Sequence, residues 1–120
     1  MTIAARTTED GLSTVPCAVA WIGDAWASVA WIGSDGEIAT SAIHRGDQTE
    51  SSYLELIARL LGDARRVVVM GPSSMRLALE RAYVALYRWP DRLIDIEQSD
   101  WIGEQNLVER LRQLADTVEG

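Results

Sequence analysis

The stretch from Arg65 to Leu79, RRVVVMGPSSMRLAL, sets a β-branched run, a Gly-Pro break and a helix start side by side. Val67, Val68, Val69 and Met70 are apolar without alternation, the pattern of a strand covered on both faces in an α/β sheet. Gly71 and Pro72 stop that strand, and Ser73 or Ser74 is placed to cap the helix that follows by accepting from its free N–H groups. Loops at the carboxyl ends of strands are where open α/β sheets bind ligands, so Gly71, Ser73 and Ser74 are candidate ligand contacts. A phosphate cradle at the helix's positive end is one reading of them. Yet the Walker glycine spacing and its Lys are both missing, and Pro72 removes a donor. Ordinary capping is the preferred reading.

The rest of the chain supplies the partners of that strand. Ala20-Trp21-Ile22-Gly23 is echoed ten residues later by Ala30-Trp31-Ile32-Gly33, and the echo suggests neighbouring strands with similar packing demands. Cys17 to Ile22 is expected as the first strand, Gly23-Asp24 as a tight turn, and Ala25 to Ile32 as the second strand. Gly33-Ser34-Asp35-Gly36 signals another turn, after which Glu37 to Ile43 completes an antiparallel meander. Helical period then takes over. Tyr53, Leu54, Ile57, Leu60 and Leu61 share one face, with Glu55 and Arg59 outside at a favourable spacing and Gly62 near the end. A second helix is expected from about Ser73 to Tyr87, with Met75, Leu79, Ala82, Tyr83 and Leu86 inward and Trp89-Pro90 as its stop. Arg92 to Glu97 reads as a short last strand, with Leu93 and Asp95 alternating against Ile94 and Ile96. A third helix follows from about Ile102 to Val118, carrying Leu107, Leu111, Leu114 and Val118 on one stripe.

The order is therefore β-β-β-α-β-α-β-α. A meander beside crossover units makes a mixed α/β fold, a mixed five-stranded sheet with helices on its faces, of the ribonuclease-H-like kind. Residues 16–120 are expected to form one domain and residues 1–15, rich in Thr, Ser and charge, a flexible tail. A single cysteine, Cys17, allows no intrachain disulfide, and neither a signal sequence nor a membrane span is visible, so the expectation is a cytoplasmic protein without a membrane partner. A net charge of −7 disfavours binding nucleic acid by bulk electrostatics, which leaves only local basic patches, and no DNA partner is expected. Every cation is Arg, read mainly as composition bias although Arg is the better residue for bidentate phosphate contacts.

Most catalytic chemistry finds no footing. A ribonuclease-H-type two-metal site needs carboxylates on the first strand, and Cys17 to Ile22 has none. His44 is the sole histidine and Cys17 the sole thiol, so no His/Cys zinc set exists, and the chain has no G-x-S-x-G elbow. Neither a metal nor a cofactor is expected. His44 is expected at a strand end, and with Arg45 it forms a candidate anion contact.

The combination of IHRGDQTESSYLELIARLL with RRVVVMGPSSMRLALE resembles the middle domain of archaeal and eukaryotic peptide-chain release factors and Pelota-type ribosome rescue factors, and their bacterial relatives. In that family the meander precedes a Gly-Gly-Gln loop in release factors, then come a helix and an apolar strand ending in Gly-Pro. Gly46-Asp47-Gln48 stands at the comparable position, and Gly71-Pro72 at the later one. The resemblance implies a ribosome or tRNA partner, with His44, Arg45, Gly46 and Asp47 as rRNA contacts. If the hydrolytic chemistry is retained, it makes Gln48 the catalytic residue of a peptidyl-tRNA ester hydrolase. Asp47 replaces the second Gly and would restrict the backbone, and the connection from Ile43 to Ser51 is short for a loop that must reach deep into the ribosome. Pelota-type relatives carry the domain without the glutamine motif. The expected function is thus a non-catalytic, translation-associated or protein-interaction module, with a hydrolytic release factor and a small-ligand or anion-binding domain as alternatives. The local reading of Gly46-Asp47-Gln48 is a polar turn feeding a helix capped by Asp47 or Thr49.

Five tryptophans and no Phe complete the picture. Trp21 and Trp31 are expected to pack in the sheet. Trp26 and Trp101 are expected to be partly exposed, where aromatics favour interfaces, and they make a homodimer a further expectation.

Overall fold

The computed structural model describes residues 16–62, 64–88 and 90–116. The expected tail, Trp89 as a helix stop and Val118 as the end of a helical stripe lie outside the described residues. Within them the elements are β1 (Cys17–Ile22), β2 (Trp26–Ile32), β3 (Ile38–His44), α1 (Glu50–Leu61), β4 (Arg66–Gly71), α2 (Met75–Tyr87), a 3-10 turn (Pro90–Arg92), β5 (Leu93–Gln98) and α3 (Glu104–Asp116). The order is the one read from the sequence. One mixed five-stranded sheet runs β3-β2-β1-β4-β5. β1 to β3 form the antiparallel meander, and β1, β4 and β5 are parallel neighbours.

The central position of β1 and β4 follows from their composition. Every residue of β1 is buried, as are Val67 to Gly71 of β4, so each strand needs cover on two sides. On one face Ala18, Ala20, Ile22, Val67 and Val69 pack against Tyr53, Ile57 and Leu61 of α1 and Leu79 and Tyr83 of α2. On the other, Val19, Trp21, Val68 and Met70 meet Leu107, Leu111 and Leu114 of α3. Burying each of those leucines contributes about 1.5–3 kcal/mol, enough for a single amphipathic helix to hold its face of the sheet.

Several local expectations change. The first hairpin loop takes in Ala25, because Gly23 N–H donates to Trp26 O at 2.9 Å and β2 begins only at Trp26. Ser74 stands at the N-cap of α2 but its side chain makes no cap bond, while Ser73 Oγ, one residue earlier, accepts from Met75 N–H at 3.3 Å. Leu86 faces outward, 36% exposed, since α2 turns its buried stripe through Met75, Leu79 and Tyr83 alone. β5 does not alternate as expected. A register shift between Val67 and Val68 skips Ile94, so that Leu93 opposes Val67 and Asp95 opposes Val68, with Ile96 beside Val69. Leu93 therefore packs with the α1/α2 layer, while Ile94 is left 47% exposed.

Candidate functional site

Three parallel strands end on one side of the sheet, at Ile22, Gly71 and Gln98, and the antiparallel meander brings the start of β2 and the end of β3 to the same side. The segments 23–25, 45–49, 72–74 and 99–103 consequently share one end of the molecule, where open α/β sheets place ligands. All the residues singled out from the sequence lie there. They fall into two groups, one toward α1 and one toward α3.

The first group is the turn between β3 and α1. Gln48 N–H donates to Arg45 O at 3.1 Å, closing Arg45-Gly46-Asp47-Gln48 as a β-turn. Gly46 sits at φ 58° with no atom within 4 Å of where a Cβ would lie, so backbone conformation and not crowding selects glycine. Asp47 is not among the residues with positive φ, and the turn has the type II′ pattern, which needs glycine only at its first central position. Asp47 therefore takes its place in this turn without left-handed strain. Thr49, not Asp47, caps α1, its Oγ1 accepting from Ser52 N–H at 3.1 Å.

Arg45 braces this turn from beneath. Its N–H donates to Ala25 O at 2.9 Å, its Nε donates to Gln48 O at 3.1 Å, and its guanidinium carbon lies 5.8 Å from the centre of the Tyr53 ring. Tyr53 is fully buried and donates from its hydroxyl to Gly23 O at 2.9 Å. Burial pushes the phenol up to about 12, against the pull of Arg45 and with a further push from Asp24. The hydroxyl thus keeps its proton through the neutral range and ties the first turn of α1 to the first hairpin. Asp24 is in turn joined to the β4–α2 loop, accepting from Ser73 Oγ at 3.3 Å.

That last loop is occupied by its own bonds. Met75 N–H and Arg76 N–H are spent on Ser73 Oγ and Ser73 O, and Leu77 N–H and Ala78 N–H on Ser74 O. Arg76 Nη1 also donates to Ser73 O at 2.6 Å. Gly71 is needed for another reason: a Cβ there would run into the carbonyl oxygen of Ile22, so the ends of β1 and β4 approach this closely only without a side chain.

The second group is aromatic. Trp21, Trp26 and Trp101 form a closed triad with ring centroids 4.8, 5.2 and 4.8 Å apart. Trp21 is buried and donates from Nε1 to Ser99 O at 3.0 Å, while Ser99 N–H reaches Gly71 O at 2.9 Å. Trp26 is half-buried and Trp101 is 38% exposed. His44 pairs with Trp26 across the β2/β3 ladder and so shares its face, whereas the Arg45 side chain goes to the α1 side. His44 and Arg45 therefore do not converge on one ligand. Sequence patterning had no means of finding Tyr53 as the lock, nor the return of Trp101 to the sheet, since both depend on contacts across long stretches of chain.

Among the described residues no three His, Cys, Asp or Glu side chains gather where a metal ion could be held, and no helix is long and apolar enough to cross a membrane. No family model matches the chain, and neither does any curated protein. Solved structures do. Pelota from Archaeoglobus fulgidus superposes with a TM-score of 0.65 at 15% identity over 89% of this chain. Pelota from Thermoplasma acidophilum gives 0.61 at 17% identity over 92%, and the archaeal translation termination factor aRF1 gives 0.56 at 13% identity over 87%. The matches use 34, 36 and 39% of those longer chains. The chain thus has, across most of its length, the fold of one part of Pelota and of aRF1.

Proposed function

We propose that this chain is a translation-associated module of the Pelota and release-factor type that docks on the ribosome without hydrolysing peptidyl-tRNA. The observation that carries this reading is the shared fold over most of the chain, with the turn at residues 45–48 between the third strand and the first helix, where release factors carry their Gly-Gly-Gln loop. The non-hydrolytic form is favoured by the turn itself. Only Arg45 to Thr49 separate β3 from α1, and Gln48 is half-buried with its carbonyl held by Arg45. A glutamine held this close to the fold has little reach. Gly46 and Asp47, both exposed, together with His44 are then contacts to rRNA, and the compartment is the cytoplasm.

Sedimentation through sucrose gradients tests the assignment. Co-migration with ribosomes or a subunit is the expected result, and absence from every ribosomal fraction rejects it. The hydrolytic alternative is read separately, by release of peptide from stalled complexes. The proposal expects no release by the parent protein, and release that disappears in Gln48→Ala would establish the alternative instead.

A further inference from the structure

Among the described residues the sheet ends in two edges, β3 and β5, and they are built differently. β5 carries Asp95 and Glu97, is broken by a register shift, and is preceded by Pro90-Asp91-Arg92. These are the usual devices by which proteins stop an edge strand from recruiting another. β3 has none of them. It pairs with β2 through seven consecutive positions without a shift, and Ile38 to Ile43 contains no charge and no proline. Ala39, Thr40, Ala42 and His44 are exposed, and Ser41 is half-buried.

The sequence of that edge is self-complementary. If two copies pair antiparallel about a two-fold axis at Ser41, Thr40 of one copy faces Ala42 of the other, Ala39 faces Ile43, and Ile38 faces His44. Just beyond the strand Glu37 of one copy falls opposite position 45 of the other, whose side chain is held by Gln48 O and the Tyr53 ring, so no like charges face each other along the ladder. For two chains of net charge −7, an uncharged edge is a favourable place to meet, because like charges set opposite each other would oppose pairing. We propose that β3 is a homodimerisation edge, joining two copies into one continuous sheet with Ser41 on the axis. Such an interface is isologous and closes on itself, so it leaves no free β3 edge to propagate.

This inference is independent of the translation reading. Light scattering coupled to size exclusion, on the full chain at rising concentration, is expected to show a dimer. Ala42→Lys, on an exposed position of the edge, is expected to weaken it by about tenfold or more in Kd, with the far-UV circular dichroism of the folded chain unchanged and the Tm losing its dependence on protein concentration. Register is read by disulfide capture. Ser41→Cys places two thiols opposite each other at about 4.5–5.5 Å between Cα atoms, within disulfide reach, and is expected to give a reducible covalent dimer under mild oxidation. Ala39→Cys is expected not to, because its neighbour is position 43, and Cys17 is buried and silent in both. A parent protein that stays monomeric at every concentration overturns the proposal. So does a dimer that survives Ala42→Lys and is not captured by Ser41→Cys, which would place the contact elsewhere.

Discussion

Arg45 and Tyr53 show how much of the site rests on two side chains turned toward main-chain carbonyls of the fold itself. Arg45 spends its Nε on Gln48 O and lies over the Tyr53 ring, and Tyr53 spends its hydroxyl on Gly23 O. Replacing Arg45 by Ala removes the brace and is expected to cost about 1–2 kcal/mol. Faster hydrogen exchange at the Gly46, Asp47 and Gln48 amides, with the strands still protected, is the measurement that checks it. Tyr53→Phe strands a buried carbonyl, and a loss of about 1–3 kcal/mol in denaturant unfolding is expected. Its pH dependence has a definite sign. The folded phenol titrates near 12, above its ordinary value of 10, so its contribution is complete below pH 10 and is lost as pH rises from 10 to about 12. The parent protein should lose stability over that window more steeply than Tyr53→Phe. Neither residue was legible as part of the site. Tyr53 reads from the sequence as one more position on an apolar stripe, and a bond from a guanidinium to a main-chain carbonyl leaves no pattern in residue types.

At the scale of elements, strands buried on both faces were the most legible, because β1 and β4 have to be apolar throughout whatever their partners. The meander was legible through its glycine turns. β5 was legible as a strand but not in its facing, since a bulge is decided by the neighbour it pairs with and not by its own alternation. Leu86 was misplaced for a related reason. Helical period marks a stripe, but not how much of that stripe the other elements cover. The end of α2 holds another feature hidden from sequence. The helix stops on Arg88 in the left-handed region, φ 61° and ψ 34°, with its N–H on Val84 O at 2.7 Å. An L side chain is strained there, so Arg88→Gly is expected to raise stability by about 0.5–1 kcal/mol, read as an increase in Tm. A decrease would mean that the Arg88 side chain contributes more than its backbone costs.

The whole molecule is a sheet with two helices on one face and one on the other, and its single-helix face depends on contacts between distant parts of the chain. Glu97 and Arg110 pair at 2.6 Å to fix α3 against β5, Thr40 Oγ1 donates to Glu104 at 2.8 Å at the far side of the sheet, and Trp101 closes on Trp21 and Trp26. The indole triad brings residues near the two ends of the described chain within stacking distance, so it can exist only when meander, crossovers and α3 are all in place. Three transition dipoles held about 5 Å apart must couple as excitons and give circular dichroism a paired positive and negative indole band. Trp101→Phe is expected to weaken that band pair, and in the parent protein it should vanish in the same thermal transition as the backbone signal. The triad also borders the end of the sheet where the proposed ribosome contacts lie, which gives the protein an unlabelled optical gauge: a partner that tilts the exposed Trp101 ring changes the coupling, and so the handed absorption of the site, before any helix or strand has moved.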